Sequence, residues 1–168
     1  MFYRRCLACL VALAAFTAVA ADDAADVATL IGSWDLVKLE NHASDGQVSK
    51  PFGDAPVGRI TYTVDGHMSA QILRAGRTPF ADHHLYGGTP AEKRAAYDSF
   101  MAYYGSFEVD SAHHVVTHHV VGSLFPNWVG GDQQRYYAIS GDELTLSTKP
   151  FTVAGKETTA RVLWKRAH

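Results

Sequence analysis

The sequence predicts a mainly β domain: about eight short antiparallel strands, in an up-and-down barrel or a sandwich, with one inserted α-helix. Three observations predict it. Asp65-Gly66 separates two β-rich runs, a strong hairpin signal. Glu143–Thr148 and Glu157–Arg166 alternate cleanly between two faces. Short turn-rich stretches separate most of the remaining runs.

The first twenty of the 168 residues read as a cleavable leader. Arg4 and Arg5 precede an apolar run from Cys6 to Ala20, and Ala18-Val19-Ala20 fits a small-x-small cleavage site. The run is too short for a stable membrane span, so none is expected after cleavage. The expected destination is the periplasm, with secretion as the alternative. Both cysteines, Cys6 and Cys9, would leave with the leader, which removes thiol chemistry and thiolate zinc sites. Without Arg4 and Arg5, thirteen basic residues face seventeen acidic ones. No basic block is left, so nucleic acid is not an expected partner. Residues 21–29 read as a short polar and alanine-rich lead, and 30–168 as one domain.

In chain order, Leu30–Leu39 reads as the first strand, with Trp34 and Leu36 on one face. Asn41–Pro56 reads as a loop in which Phe52 can fold over a barrel mouth. Arg59–Val64 and His67–Leu73 form the hairpin, with a type I′ turn expected at Asp65-Gly66. Arg74–Gly88 is loop and carries Phe80 and His83-His84. Thr89, Pro90 and Glu92 make a capping-box start for a helix. Its expected apolar side runs from Ala95 and Ala96 through Phe100, Met101, Tyr103 and Tyr104, with Gly105 as its stop, packed on the sheet. Ser106–Val109, His113–Val121, Asp132–Ile139, Glu143–Thr148 and Glu157–Arg166 read as strands. Pro150–Gly155 reads as a loop.

Gly32-Ser33-Trp34, Pro51-Phe52-Gly53, Gly58–Ser69, Pro126-Asn127-Trp128-Val129-Gly130, Arg135 and Leu144–Ser147 together resemble the bacterial and fungal lipocalin-like domain family, over about Leu30 to Arg166. The resemblance implies a lipocalin-like antiparallel barrel of eight strands around an internal cavity. It also implies that an Arg near the last strand, here Arg166, packs over Trp34. The sequence departs from typical lipocalins in lacking a mid-chain Thr-Asp-Tyr segment and in carrying its helix mid-chain.

Candidate site residues flank the aromatic loop Leu124–Val129. Alternate residues of a strand share a face, so His114 and His118 group together, as do Gln133, Arg135 and Tyr137. The resemblance favours His118 as the inward histidine. If the strands pair, His118 and Arg135 meet inside, with Gln133, Tyr137 and Tyr62 nearby. His118 reads as a general acid or base, or as a neutral core histidine. Arg135 reads as an anchor for an anionic ligand group, or as a strut paired with Asp132, Asp142 or a loop carbonyl. Trp128 and Phe125 would line or plug the cavity mouth. The histidine pairs raise a metal reading, but His114 and His118 would lie about 13 Å apart along a strand. No metal and no cofactor is expected. The leading expectation is a binder of a small hydrophobic molecule with one polar or anionic end. The alternatives are an isomerase or cyclase using His118 and Arg135, and an envelope protein with a filled barrel.

Overall fold

The computed structural model describes residues 24–168, so the leader-like residues 1–20 lie outside the described residues. Residues 24–30 form a helix, α1, where the sequence reading placed part of the lead. Alanine favours helix, and α1 is held by the core it touches. Its last residue, Leu30, is fully buried, and Val27 packs on the same cluster.

Ten strands follow among the described residues: β1 Gly32–Ala43, β2 Val48–Ser49, β3 Val57–Tyr62, β4 His67–Leu73, β5 Phe100–Asp110, β6 Val115–Ser123, β7 Asp132–Ser140, β8 Glu143–Ser147, β9 Phe151–Val153 and β10 Lys156–Arg166. Helix α2, Pro90–Asp98, lies between β4 and β5. The order β1-β3-β4-β5-β6-β7-β8-β10 closes on itself through antiparallel β1–β10 pairing, which makes an eight-stranded barrel. The two-residue β2 and three-residue β9 are short additions to β1 and β10. They occupy stretches that the turn-rich composition predicts as plain loop. Closure leaves the barrel strands without a free edge.

Inward residues alternate with outward ones. Trp34, Ile60, Tyr62, Met68, Ala70, Ile72, Leu144, Leu146, Val162 and Trp164 are among the buried core. Trp34 closes the base beside α1. Its indole Nε1–H donates to the Leu30 carbonyl at 2.8 Å, and the Arg166 guanidinium lies 4.0 Å from its ring centroid. Arg166 also donates to the carbonyls of Thr29 (2.8 Å) and Ile31 (3.2 Å). Gly32 has φ 124°, and a Cβ there would sit 3.2 Å from Arg166 Nη1. The Gly-x-Trp pattern therefore serves the clamp directly.

Three local expectations are corrected. The β3–β4 turn is not type I′. Gly66 N–H bonds the Thr63 carbonyl at 3.1 Å, and Gly66 alone within the turn has positive φ. This is a type I turn with a left-handed glycine, the three-residue hairpin solution. Helix α2 keeps its capping box, but it ends at Asp98 and buries no residue. Phe100 to Gly105 is strand, because pairing with β4 from Leu73↔Phe100 onward outweighs the local helical spacing. Gly105 is a close-approach residue rather than a helix stop. It sits at a β5–β6 bulge where an added Cβ would meet the His119 carbonyl oxygen at 1.8 Å. Third, His113 and His114 are not in β6. Asp110 caps a 3₁₀ turn over Ser111–His113, and His114 follows in the left-handed region at φ 52°. His114 and His118 therefore do not share a strand face.

Candidate functional site

A cavity of about 700 Å³ opens at the barrel end opposite Trp34. Leu39, Ile60, Ala70, Ile72, Leu146 and Val162 form its apolar wall, and Phe52, Trp128 and Phe151 stand among its other lining residues. The polar groups on the wall include Gln133, Arg135, Tyr103 and Trp164. The barrel is thus not filled by its own side chains.

β6 and β7 position two of these groups. Their register sets His118 opposite Gln133 and Val116 opposite Arg135. Arg135 is half-buried. Its guanidinium donates to the Gln133 side-chain oxygen at 3.1 Å and to the Gln134 carbonyl at 2.8 Å. Neither Asp132 nor Asp142 pairs with it. Asp132 binds His119 Nδ1 at 2.7 Å, and Asp142 lies near Arg166. No carboxylate among the described residues lies within 4.0 Å of Arg135, although Asp132, paired with His119, also lines the cavity.

His118 is fully buried and lies behind Tyr103 rather than on the cavity wall. Its Nε2 is 2.8 Å from the Tyr62 hydroxyl and its Nδ1 is 2.9 Å from the Tyr103 hydroxyl. Burial first, then the Arg135 charge, pushes its pKa down to about 3. The ring is neutral near pH 7 and carries one proton. Burial likewise pushes both phenol pKa values up, so both keep theirs. Three hydrogens thus serve two contacts, and one must point elsewhere. Tyr62 is 1% exposed and has only His118 as a hydrogen-bond partner among the described residues, so a spare proton there would be orphaned. The assignment that orphans nothing has Tyr62 O–H donate to Nε2 and Nδ1–H donate to the Tyr103 oxygen. The Tyr103 hydroxyl proton is then free for the cavity.

An aromatic chain continues outward. Tyr103 meets Trp128 edge to face at 5.5 Å, and Trp128 meets Phe125 at 5.8 Å. Phe125 is exposed beyond the cavity rim. Tyr62 and Tyr137 do not line the cavity. Tyr62 reaches it only through His118. Tyr137 lies towards the base, where it hydrogen-bonds Asp26 of α1 and meets the His114 ring at 5.7 Å. Phe80 is not on the wall either. The remaining histidine pairs are dispersed: His113 binds Asp110 and His119 binds Asp132.

Sequence reasoning missed Tyr103 and Trp164. Tyr103 was hidden by its assignment to the helix. Trp164 alternates correctly in β10 and reads as ordinary core. Its indole N–H, though, is buried without a hydrogen-bond acceptor among the described residues.

The family model for the lipocalin-like domain matches residues 31–167. Among curated proteins, the chain is 34% identical over 106 residues to the 4'-hydroxy-3'-methoxypropiophenone carrier protein ppsC of Aspergillus oryzae (strain ATCC 42149 / RIB 40). That alignment covers 59% of this chain and 96% of the relative. No solved structure matches the chain.

Proposed function

The chain belongs to the lipocalin-like domain family, and on that premise we propose that it carries a small hydrophobic molecule with a polar or anionic end in the barrel cavity. One observation carries the reading: a half-buried guanidinium without a carboxylate partner among the described residues, on the wall of a largely apolar cavity of about 700 Å³. A charge held in such surroundings favours an anionic or strongly accepting ligand group. The matched relative's name, which describes a carrier of an aromatic ketone, supports the same class of role. His118 as a proton carrier is less well supported, because its imidazole is held at about 3 between two phenols and behind Tyr103.

The test is calorimetric titration with an aryl carboxylate and its neutral primary amide. Arg135→Gln is expected to weaken the carboxylate roughly tenfold to a hundredfold, the range of a charge-assisted hydrogen bond. The amide should change about threefold or less. Equal effects on both ligands would remove Arg135 as the anionic anchor. No binding, together with no small molecule found by mass spectrometry after native purification, would sink the carrier reading.

Export belongs to the same proposal and rests on the leader pattern of residues 1–20. Intact mass of the protein from the cell envelope should correspond to a chain starting at Ala21. A full-length mass in the cytosol would contradict it.

A further inference from the structure

The cavity wall holds a second unmet demand, independent of Arg135. Trp164 lies on β10, and its side chain is 2% exposed. Register sets it opposite Leu36 of β1 and Leu144 of β8, neither of which offers a side-chain acceptor. Its Nε1–H has no acceptor among the described residues, yet the residue lines the cavity. An indole nitrogen can only donate. The contrast with Trp34 is informative. Trp34 is equally buried, and its N–H is satisfied at 2.8 Å by the Leu30 carbonyl. The fold provides for one buried indole and leaves the other, on a residue of the cavity wall, without an acceptor among the described residues.

Two further polar groups on the cavity wall also have hydrogens to give. Arg135 only donates, and the Tyr103 hydroxyl already accepts from His118, which leaves its proton to give. Acceptors such as Asp132, Asn41 and Thr148 also line the cavity, but these three groups offer hydrogens. We propose that Trp164 is a specificity-determining residue whose indole N–H donates to a neutral carbonyl or ether oxygen on the apolar part of the ligand. The favoured ligand is then acceptor-rich, with an oxygen buried in its hydrophobic body in addition to its polar end. This rests on the carrier reading and deepens it. A pure hydrocarbon tail would leave the indole unmet, whereas a ketone in the same shape would satisfy it. A site built to hydrogen-bond a ligand group discriminates strongly against the analogue that lacks it.

The experiment uses two probes that differ by one carbonyl, 4-butanoylbenzoate and 4-butylbenzoate, with the mature protein and Trp164→Phe. Phe keeps the aromatic filling and removes the donor. The wild type should bind the ketone about tenfold more tightly than the alkyl probe. Trp164→Phe should bind the alkyl probe as the wild type does and lose the preference for the ketone, because a carbonyl buried without a partner is costly. In ¹H–¹⁵N spectra, the Trp164 indole peak, identified by its loss in the variant, should move downfield with the ketone only. Equal wild-type affinity for both probes, with that peak unmoved, overturns the role of Trp164 and leaves the carrier reading intact. Failure of both probes to bind overturns both. If Trp164→Phe does not fold, Trp164→Leu, which also removes the donor, takes its place in both readings.

Discussion

At the scale of the residue, His118 is fully buried between two phenols. Both ring nitrogens are engaged, and burial holds it neutral. Its folded pKa is about 3 against 6.5 for the free group. The unfolded chain therefore binds a proton between these values that the folded chain does not. The resulting stability is fully present above pH 6.5 and is lost progressively as pH falls towards 3. Each unit of difference is about 1.4 kcal/mol, so the loss at the acid end amounts to several kcal/mol. Urea unfolding at pH 7.5 and 4.5 should show a drop in the wild type that His118→Phe lacks. That variant should start about 3 kcal/mol less stable, because it strands two buried phenols. A wild type and variant that lose stability in parallel would contradict the assignment. Period-two alternation groups the candidates by face without choosing the inward one; the family resemblance favours His118, and alternation sets Arg135 with Gln133 on the returning strand. The same alternation grouped Tyr137 with Arg135. It reports the face and not the depth, and two residues further along β7 Tyr137 is already near the base, against Asp26 and His114. Trp164 was illegible for a different reason: an unmet N–H is a property of its neighbours in space.

At the scale of the element, the β4–β5 connection shows where local rules hold and where they yield. The start of α2 is a local matter. Thr89 Oγ1 accepts from Glu92 N–H at 3.2 Å, and the Glu92 carboxylate accepts from Thr89 N–H at 2.7 Å. Its end is not local. Ala95 to Tyr104 has helical spacing, yet seven β4–β5 partner pairs draw Phe100 to Ser106 into the sheet. Gly105 looks like a helix stop only while its neighbours look helical. Its observed role yields a sharp prediction. Gly105→Ala drives a methyl into the His119 carbonyl, where backbone on both strands must move. Overpacking of this kind should cost about 3 kcal/mol. Thr89→Ala should cost about 1 kcal/mol of helix stability, read by faster amide exchange within Pro90–Asp98. Because α2 buries nothing, the global unfolding midpoint of Thr89→Ala should barely move. Denaturant unfolding of the two variants separates the cases. A mild Gly105→Ala would show that the bulge can relax.

At the scale of the whole molecule, the barrel is built asymmetrically. Its base is sealed by Trp34, Arg166 and α1, while the other end opens into the cavity. A cavity of about 700 Å³ in a chain of this size forgoes packing that a filled interior would supply. If that space is kept for a ligand, filling it should trade binding for stability. Ala70 is the place to ask. It is 3% exposed, lies on the cavity wall, and pairs with Ile60 on one side and Tyr103 on the other. Ala70→Leu adds apolar volume on the cavity wall and leaves Arg135 and Trp164 themselves unchanged. The extra buried methyl groups should contribute about 1 kcal/mol and raise the thermal midpoint by roughly 2–4 °C. Ligand affinity should fall at least about tenfold, since the leucine occupies the volume that the ligand needs. Calorimetric unfolding and titration on the same two proteins give both readings. Higher stability with unchanged affinity would place the ligand outside this cavity. Lower stability would show that the wall at Ala70 is already packed.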